Sequence, residues 1–157
     1  MTSSNVPMLF KVVEWSPSTV NLDIGGGLHE RETTLYLKVK EVTNLVYDST
    51  YKADNRNEAV LAAVIRYGMA DSITLSDVLN TVRKWKERDA LLYYCKHFVK
   101  RGSPVHISIQ EGDRSGVGKE TETGWEANSP IYEYTDLIMS RFQIVKVTDS
   151  VITAVKE

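Results

Sequence analysis

Thr19-Val20-Asn21-Leu22-Asp23-Ile24-Gly25-Gly26-Gly27-Leu28-His29-Glu30 decides how the rest of the chain is read. A short apolar run ends at an acid, glycines follow, and a helix-compatible segment begins. The pattern predicts a strand, a tight turn and a helix start. Glycine reaches backbone angles closed to other residues and lets a ligand approach the main chain, while a helix start presents free N–H groups. Such a turn is suited to seating a ligand.

Outward from that turn, the chain alternates between two periodicities. After Leu28, residues Leu35, Val39 and Val42 fit one helical face, although Leu35, Leu37 and Val39 also alternate as a strand would. A helix is expected, because parallel neighbours need a crossover. Asn44 to Asp48 reads as a second strand, again ending in an acid. Asn55, three residues before Glu58, resembles a capping box, and Val60, Leu61, Val64 and Ile65 form an apolar face that Gly68 would terminate. Asp71 to Asn80, with Ile73 and Leu75, reads as the next strand. Thr81 to Arg101 is the strongest helix, with Trp85, Leu91, Leu92, Cys95, Phe98 and Val99 on one side. Val105, Ile107 and Ile109 alternate with His106 and Ser108 in a fourth strand. Glu111 to Pro130 reads as irregular, Ile131 to Arg141 as a last helix, and Phe142 to Val147 with Val151 to Val155 as a closing hairpin. Val6 to Trp15 is expected to pack against the sheet as part of a lead-in over 1–18.

Strands alternating with helices predict an α/β fold, a Rossmann-like three-layer sandwich whose mostly parallel sheet ends in an antiparallel hairpin. Ligands of such sheets sit at the carboxyl ends of the strands. Asp23, Gly25, Gly27, Asp48, Ser76, Asp77, Glu111 and Asp113 are therefore expected on one rim.

Composition narrows the classes. The 157 residues, 42% hydrophobic and 25% charged, suit one core and a single domain over 1–157. A net charge of −2 gives no global positive field for nucleic acid. The single cysteine, Cys95, excludes an internal disulfide and a cysteine-based zinc cluster. The start lacks a charged region followed by a long apolar core, and no run approaches the roughly 20 residues of a membrane span. A soluble, cytoplasmic protein without membrane partners is expected.

Asp23-Ile24-Gly25-Gly26-Gly27 resembles the nucleotide-binding motif of class I S-adenosylmethionine-dependent methyltransferases. Asp48 is similar to the acid ending that family's second strand, and Ile73 to Asn80 to its fourth strand. The resemblance implies that S-adenosylmethionine is the cofactor. The glycine turn, Gly25 and Gly27 above all, would admit its methionine part and Asp48 would accept both ribose hydroxyls, with Asp23, Gly26, Ser76 and Asp77 completing the seat. It also implies methyl transfer by in-line displacement to an acceptor that the sequence does not name, a small molecule or a nucleic acid. Only one helix separates Asp48 from Asp71, so the family's third strand has no counterpart. The amino-directed DNA methyltransferase tetrapeptide is absent after the fourth strand, and Cys95 lies within a helix.

Asp77 and Glu111, emerging from neighbouring strands, are candidates to flank a nucleophile, and equally to cap helices. Asp113, Arg114 and Trp125 in the long loop are candidate substrate contacts, Trp125 as a lid or an anchor. Other motifs are weaker. Gly112 to Glu120 resembles a phosphate-binding loop, but with the wrong glycine spacing and Glu120 in place of the metal-binding hydroxyl. Glu30 occupies the last glycine position of a dinucleotide fingerprint, which disfavours NAD. His29, His97 and His106 lack ligand spacing, so no metal is expected. The basic helix Arg83 to Arg101 could meet phosphates, but Glu87 and Asp89 interrupt it and a solvated face is preferred. A homodimer is compatible with the sequence. Two alternatives to transfer are a protein that binds or cleaves the cofactor without an acceptor, and a nucleotide-binding regulatory or interaction module.

Overall fold

Strand β1 (Thr19–Ile24) lies between β2 (Val42–Tyr47) and β3 (Ser72–Ser76), parallel to both. In the computed structural model, which describes residues 5–157, the sheet continues through β4 (Pro104–Ser108), parallel to β3. The antiparallel hairpin of β7 (Gln143–Val147) and β8 (Val151–Val155) completes the order β2-β1-β3-β4-β8-β7. The chain thus has the mixed α/β, largely parallel fold that the alternation dictates. β2 is an edge strand, so no strand occupies the position that the sequence left empty, among the described residues. The Lys52 ammonium instead donates to the Val46 carbonyl, which alternation along the strand turns away from β1, and pairs with Glu30 at 2.9 Å.

The two faces of the sheet are buried for different reasons. Leu22, Ile24, Ile73, Leu75, Val105 and Ile107 form the larger core. It is closed by Val64 of α3 (Asp54–Arg66), Leu92 and Cys95 of α4 (Trp85–Phe98), and Ile138 of α5 (Thr135–Met139). Burial raises the Cys95 thiol to about 12. On the other face, α1 (Met8–Val12) inserts Leu9 and Phe10 beside Leu37 of α2 (Glu30–Val39), Val42 and Val151. The lead-in therefore does pack on the sheet, as a short helix; residues 1–4 lie outside the described residues.

That second face also buries a hydrogen-bonded ladder. Asn21 donates to Asn44 (2.9 Å) and Thr74 (3.0 Å) and accepts from Ser72 (2.8 Å), while Thr74 donates to Asp23 (2.9 Å). Asn44 reaches Thr33 of α2 at 3.3 Å. Farther along, His106 meets Thr153 at 3.1 Å, and burial lowers its pKa to about 4.

Several expected details are corrected. The buried residues of α2 are Thr33 and Leu37; Leu35 and Val39 face solvent, and Val42 opens β2. No capping box forms at Asn55: α3 begins after Ala53 without a side-chain cap, and Ile65 is exposed. Gly68 does close α3, at φ +78°, with its N–H on Ile65 and that of Met69 on Val64. α4 is shorter than expected, leaves Trp85 exposed and ends in extended Val99 rather than at Gly102. β3 stops at Ser76, and the segment 111–130 holds a small hairpin, β5 (Lys119–Thr121) and β6 (Gly124–Glu126). The last helix divides into a 3-10 turn, Ile131–Tyr134, and α5.

Truncating Ile73 to Ala in the larger core is expected to cost about 2–5 kcal/mol. Asn21→Leu should cost about 1–3 kcal/mol for each buried group it leaves unpaired, since Asn44, Ser72 and Thr74 all bond Asn21. Urea denaturation measures both.

Candidate functional site

The turn after β1 cannot carry side chains. Gly25 has φ +84°, donates to the Tyr47 carbonyl at 2.7 Å, and a Cβ there would stand 2.7 Å from Val78. A Cβ at Gly26 would collide with Asp23 Oδ2. A one-turn 3-10 helix, Gly27–His29, then leads into α2.

Asp48, just past β2 and 4% exposed, ties this turn down. Its Oδ2 accepts the Gly27 N–H (2.8 Å), and its Oδ1 accepts those of Thr50 (2.8 Å) and Tyr51 (3.0 Å). Buried Asn57 of α3 bonds both the N–H and the carbonyl of Asp48, so its position is fixed from the backbone as well. One acceptor site on Oδ2 remains.

Asp23 is fully buried, and its Oδ2 has no hydrogen-bond partner. Burial raises its pKa to about 7; the Thr74 hydroxyl opposes this, and the charges of Asp48 and Glu30 add to it.

Above the carboxyl ends of β1, β2 and β3 opens a cavity of about 920 Å³. Asp23, Gly25, Gly26, Asp48 and Tyr51 form one side, and Ser76, Asp77, Val78, Val82, Glu87 and Leu91 the other. Phe10 and Thr123, from the lead-in and the turn of the small hairpin, also line it. Asp23, Asp48, Asp77 and Glu87 face this space, and no lysine or arginine does among the described residues.

The other sequence candidates fall in two groups. Asp77 lies in the cavity wall at φ +55°, a backbone conformation costing a non-glycine residue about 1–3 kcal/mol. Ser108 holds its Oδ1 at 3.0 Å. Gly27 lines the adjoining surface beside Glu30 and Tyr51. Glu111, Asp113, Arg114 and Trp125 do not line the cavity. The Glu111 carboxylate accepts the Ile131 N–H at 2.7 Å and lies 3.5 Å from Arg114. Asp113 caps Ser115, whose hydrogen bonds hold its carboxyl below the usual range. Trp125 is an anchor: the Arg83 guanidinium lies 4.5 Å from its ring centre, and a Cβ on Gly118 would strike it. The hairpin is fixed further by Asn80, which bonds the Glu126 carboxylate (3.2 Å) and the Ala127 N–H (2.9 Å). Lys119 opens a strand rather than a helix, so Gly112 to Glu120 is no phosphate loop.

Sequence reasoning missed Asn57, Glu87 and Thr123. Asn57 was detectable as a polar residue on the apolar side of α3. Glu87 looked like an ordinary surface charge, and nothing local placed Thr123 over the sheet.

No protein-family model matches the chain, and no curated protein matches its sequence. Solved structures match it in fold. A SAM-dependent methyltransferase from Methanosarcina mazei is 15% identical with a TM-score of 0.64, over 96% of this chain and 97% of that one. An O-methyltransferase family 2 protein from Planctomyces limnophilus, in complex with apigenin, is 14% identical at 0.63, over 94% and 55%. CalO1, a methyltransferase of calicheamicin biosynthesis in its SAH-bound form, is 12% identical at 0.66, over 99% and 54%. The chain spans about half the length of the last two. It has the fold of class I SAM-dependent methyltransferases. Among the described residues no helix is long and apolar enough to cross a membrane.

The sign of the Asp23 shift gives a stability test. Its folded pKa, about 7, lies above the ordinary aspartate value of 3.8, so the folded state holds the proton more tightly. This contribution is complete below about pH 4 and is lost as pH rises to about 7. Asp23→Asn should flatten the decline in denaturation midpoint between those values.

Proposed function

We propose that this chain is an S-adenosylmethionine-dependent methyltransferase, and the observation that carries the reading is the acidic cavity at the glycine turn. The cofactor is a net cation. The buried, unpartnered oxygen of Asp23 suits its ammonium group, and the side-chain-free surface of Gly25 and Gly26 suits close approach. Asp48 can accept one ribose hydroxyl on its free Oδ2 site; a second would require the Thr50 or Tyr51 N–H to let go. NAD fits poorly, because its pyrophosphate would face carboxylates with no lysine or arginine to offset them.

When bound, the cofactor supplies a methyl group on a sulfonium, whose departure leaves a neutral thioether. The chain then has to position an acceptor, exclude water and receive a proton. Val78, Val82 and Leu91 provide an apolar wall. We assign to Asp77, whose carboxylate accepts from Ser108, the role of orienting the acceptor or taking its proton. Glu111, committed to Ile131 and Arg114, is left out of this role.

S-adenosylmethionine or S-adenosylhomocysteine should raise the melting temperature of the chain, and NAD should give no comparable rise. Asp48→Ala and Gly26→Ala should each abolish the shift; equal shifts in these variants would sink the assignment. Product analysis separates transfer from the alternatives. S-adenosylhomocysteine formed only with an acceptor supports transfer, acceptor-independent thioether products indicate cleavage, and binding without turnover indicates a regulatory module.

A further inference from the structure

We infer that the acceptor is a small, neutral or cationic molecule with an apolar body and a protic nitrogen or oxygen, and that Glu87 selects it by charge. This rests on the reading of the cavity as an S-adenosylmethionine site. Glu87 and Leu91 are one helical turn apart on α4 and both line the cavity, opposite the glycine turn. The Glu87 carboxylate makes no hydrogen bond or ion pair among the described residues. Val78, Val82 and Leu91 form an apolar shelf flanked by the exposed carboxylates of Asp77 and Glu87.

The size and charge of the cavity favour a small acceptor over a nucleic acid. A cavity of about 920 Å³ must hold cofactor and acceptor together, and single-ligand pockets already run from about 300 to 1,000 Å³. Its mouth is bounded by Thr123, on a hairpin that Asn80 and the Arg83–Trp125 contact hold in place. Nucleic acid binding requires cations against phosphates. Of the basic residues around α4, Arg83 meets Trp125 and Glu120, Arg88 the Val82 carbonyl and Lys100 Asp71, while Lys84, Lys86, Lys96 and Arg101 do not line the cavity.

The transfer balances without a further reactant. A neutral acceptor's lone pair bonds to the methyl carbon, the carbon–sulfur bond breaks with its electrons going to sulfur, and the acceptor's proton passes to the Asp77 carboxylate; an ammonium acceptor first gives its proton to Asp77, which frees the lone pair for the same displacement.

The test gives the full chain radiolabelled S-adenosylmethionine with phenethylamine, tyramine or catechol, and separately with short DNA and RNA. Label is expected in small molecules and not in nucleic acid. Glu87→Lys should lower kcat/KM for the amines relative to catechol by about tenfold, the scale of one partly screened charge interaction. Glu87→Asp should retain the preference. Label in DNA or RNA, no label in any small molecule, or an unchanged amine-to-catechol ratio in Glu87→Lys would overturn the inference. Absence of any thermal shift in the parent chain would instead overturn the underlying reading of the cavity.

Discussion

The buried ladder from Thr33 through Asn44, Asn21 and Thr74 to Asp23 is the constraint on which the rest depends. It crosses β2, β1 and β3 on one face of the sheet, beneath α1 and α2. A one-residue slip of β1 would turn Asn21 and Asp23 into the apolar core and leave their partners unsatisfied. The ladder therefore sets strand register, and it also delivers a carboxylate to the underside of the glycine turn. Fold and site share these residues: the last group of the ladder is the one with an unpartnered oxygen.

Charge is distributed with the same economy. Carboxylates line the cavity, while Lys52 and Arg56, beside the glycine turn, pair with Glu30. An exposed pair such as Arg56 with Glu30 stabilises little, typically below about 1 kcal/mol. The cavity lining carries carboxylates and no lysine or arginine among the described residues, which suits a cationic ligand and disfavours phosphates.

The fold was legible because its periodicities are strong: strand, turn and helix at Thr19 to Glu30, the acid closing each of the first two strands, and the hairpin about Asp149. Even the empty position beyond β2 could be read, since one helix cannot span two crossovers. The errors came from burial. Asn21, Asn44, Ser72 and Thr74 are polar and alternate with apolar residues, and their burial rests on hydrogen bonds with one another that a linear pattern does not display. Likewise, Leu35 and Val39 look like core by hydropathy, yet α2 turns Thr33 inward to meet Asn44. The small hairpin escaped notice because its strands are three residues each and largely exposed, and its anchors, Asn80 and Arg83, come from another part of the chain.

A crystal structure of the chain grown with S-adenosylhomocysteine tests the central claim most directly. The account predicts ligand density in the cavity above β1 and β2, with the amino group on the Asp23 side of the glycine turn and a ribose hydroxyl on Asp48 Oδ2. Density elsewhere on the chain, or an empty cavity at saturating ligand, would contradict it.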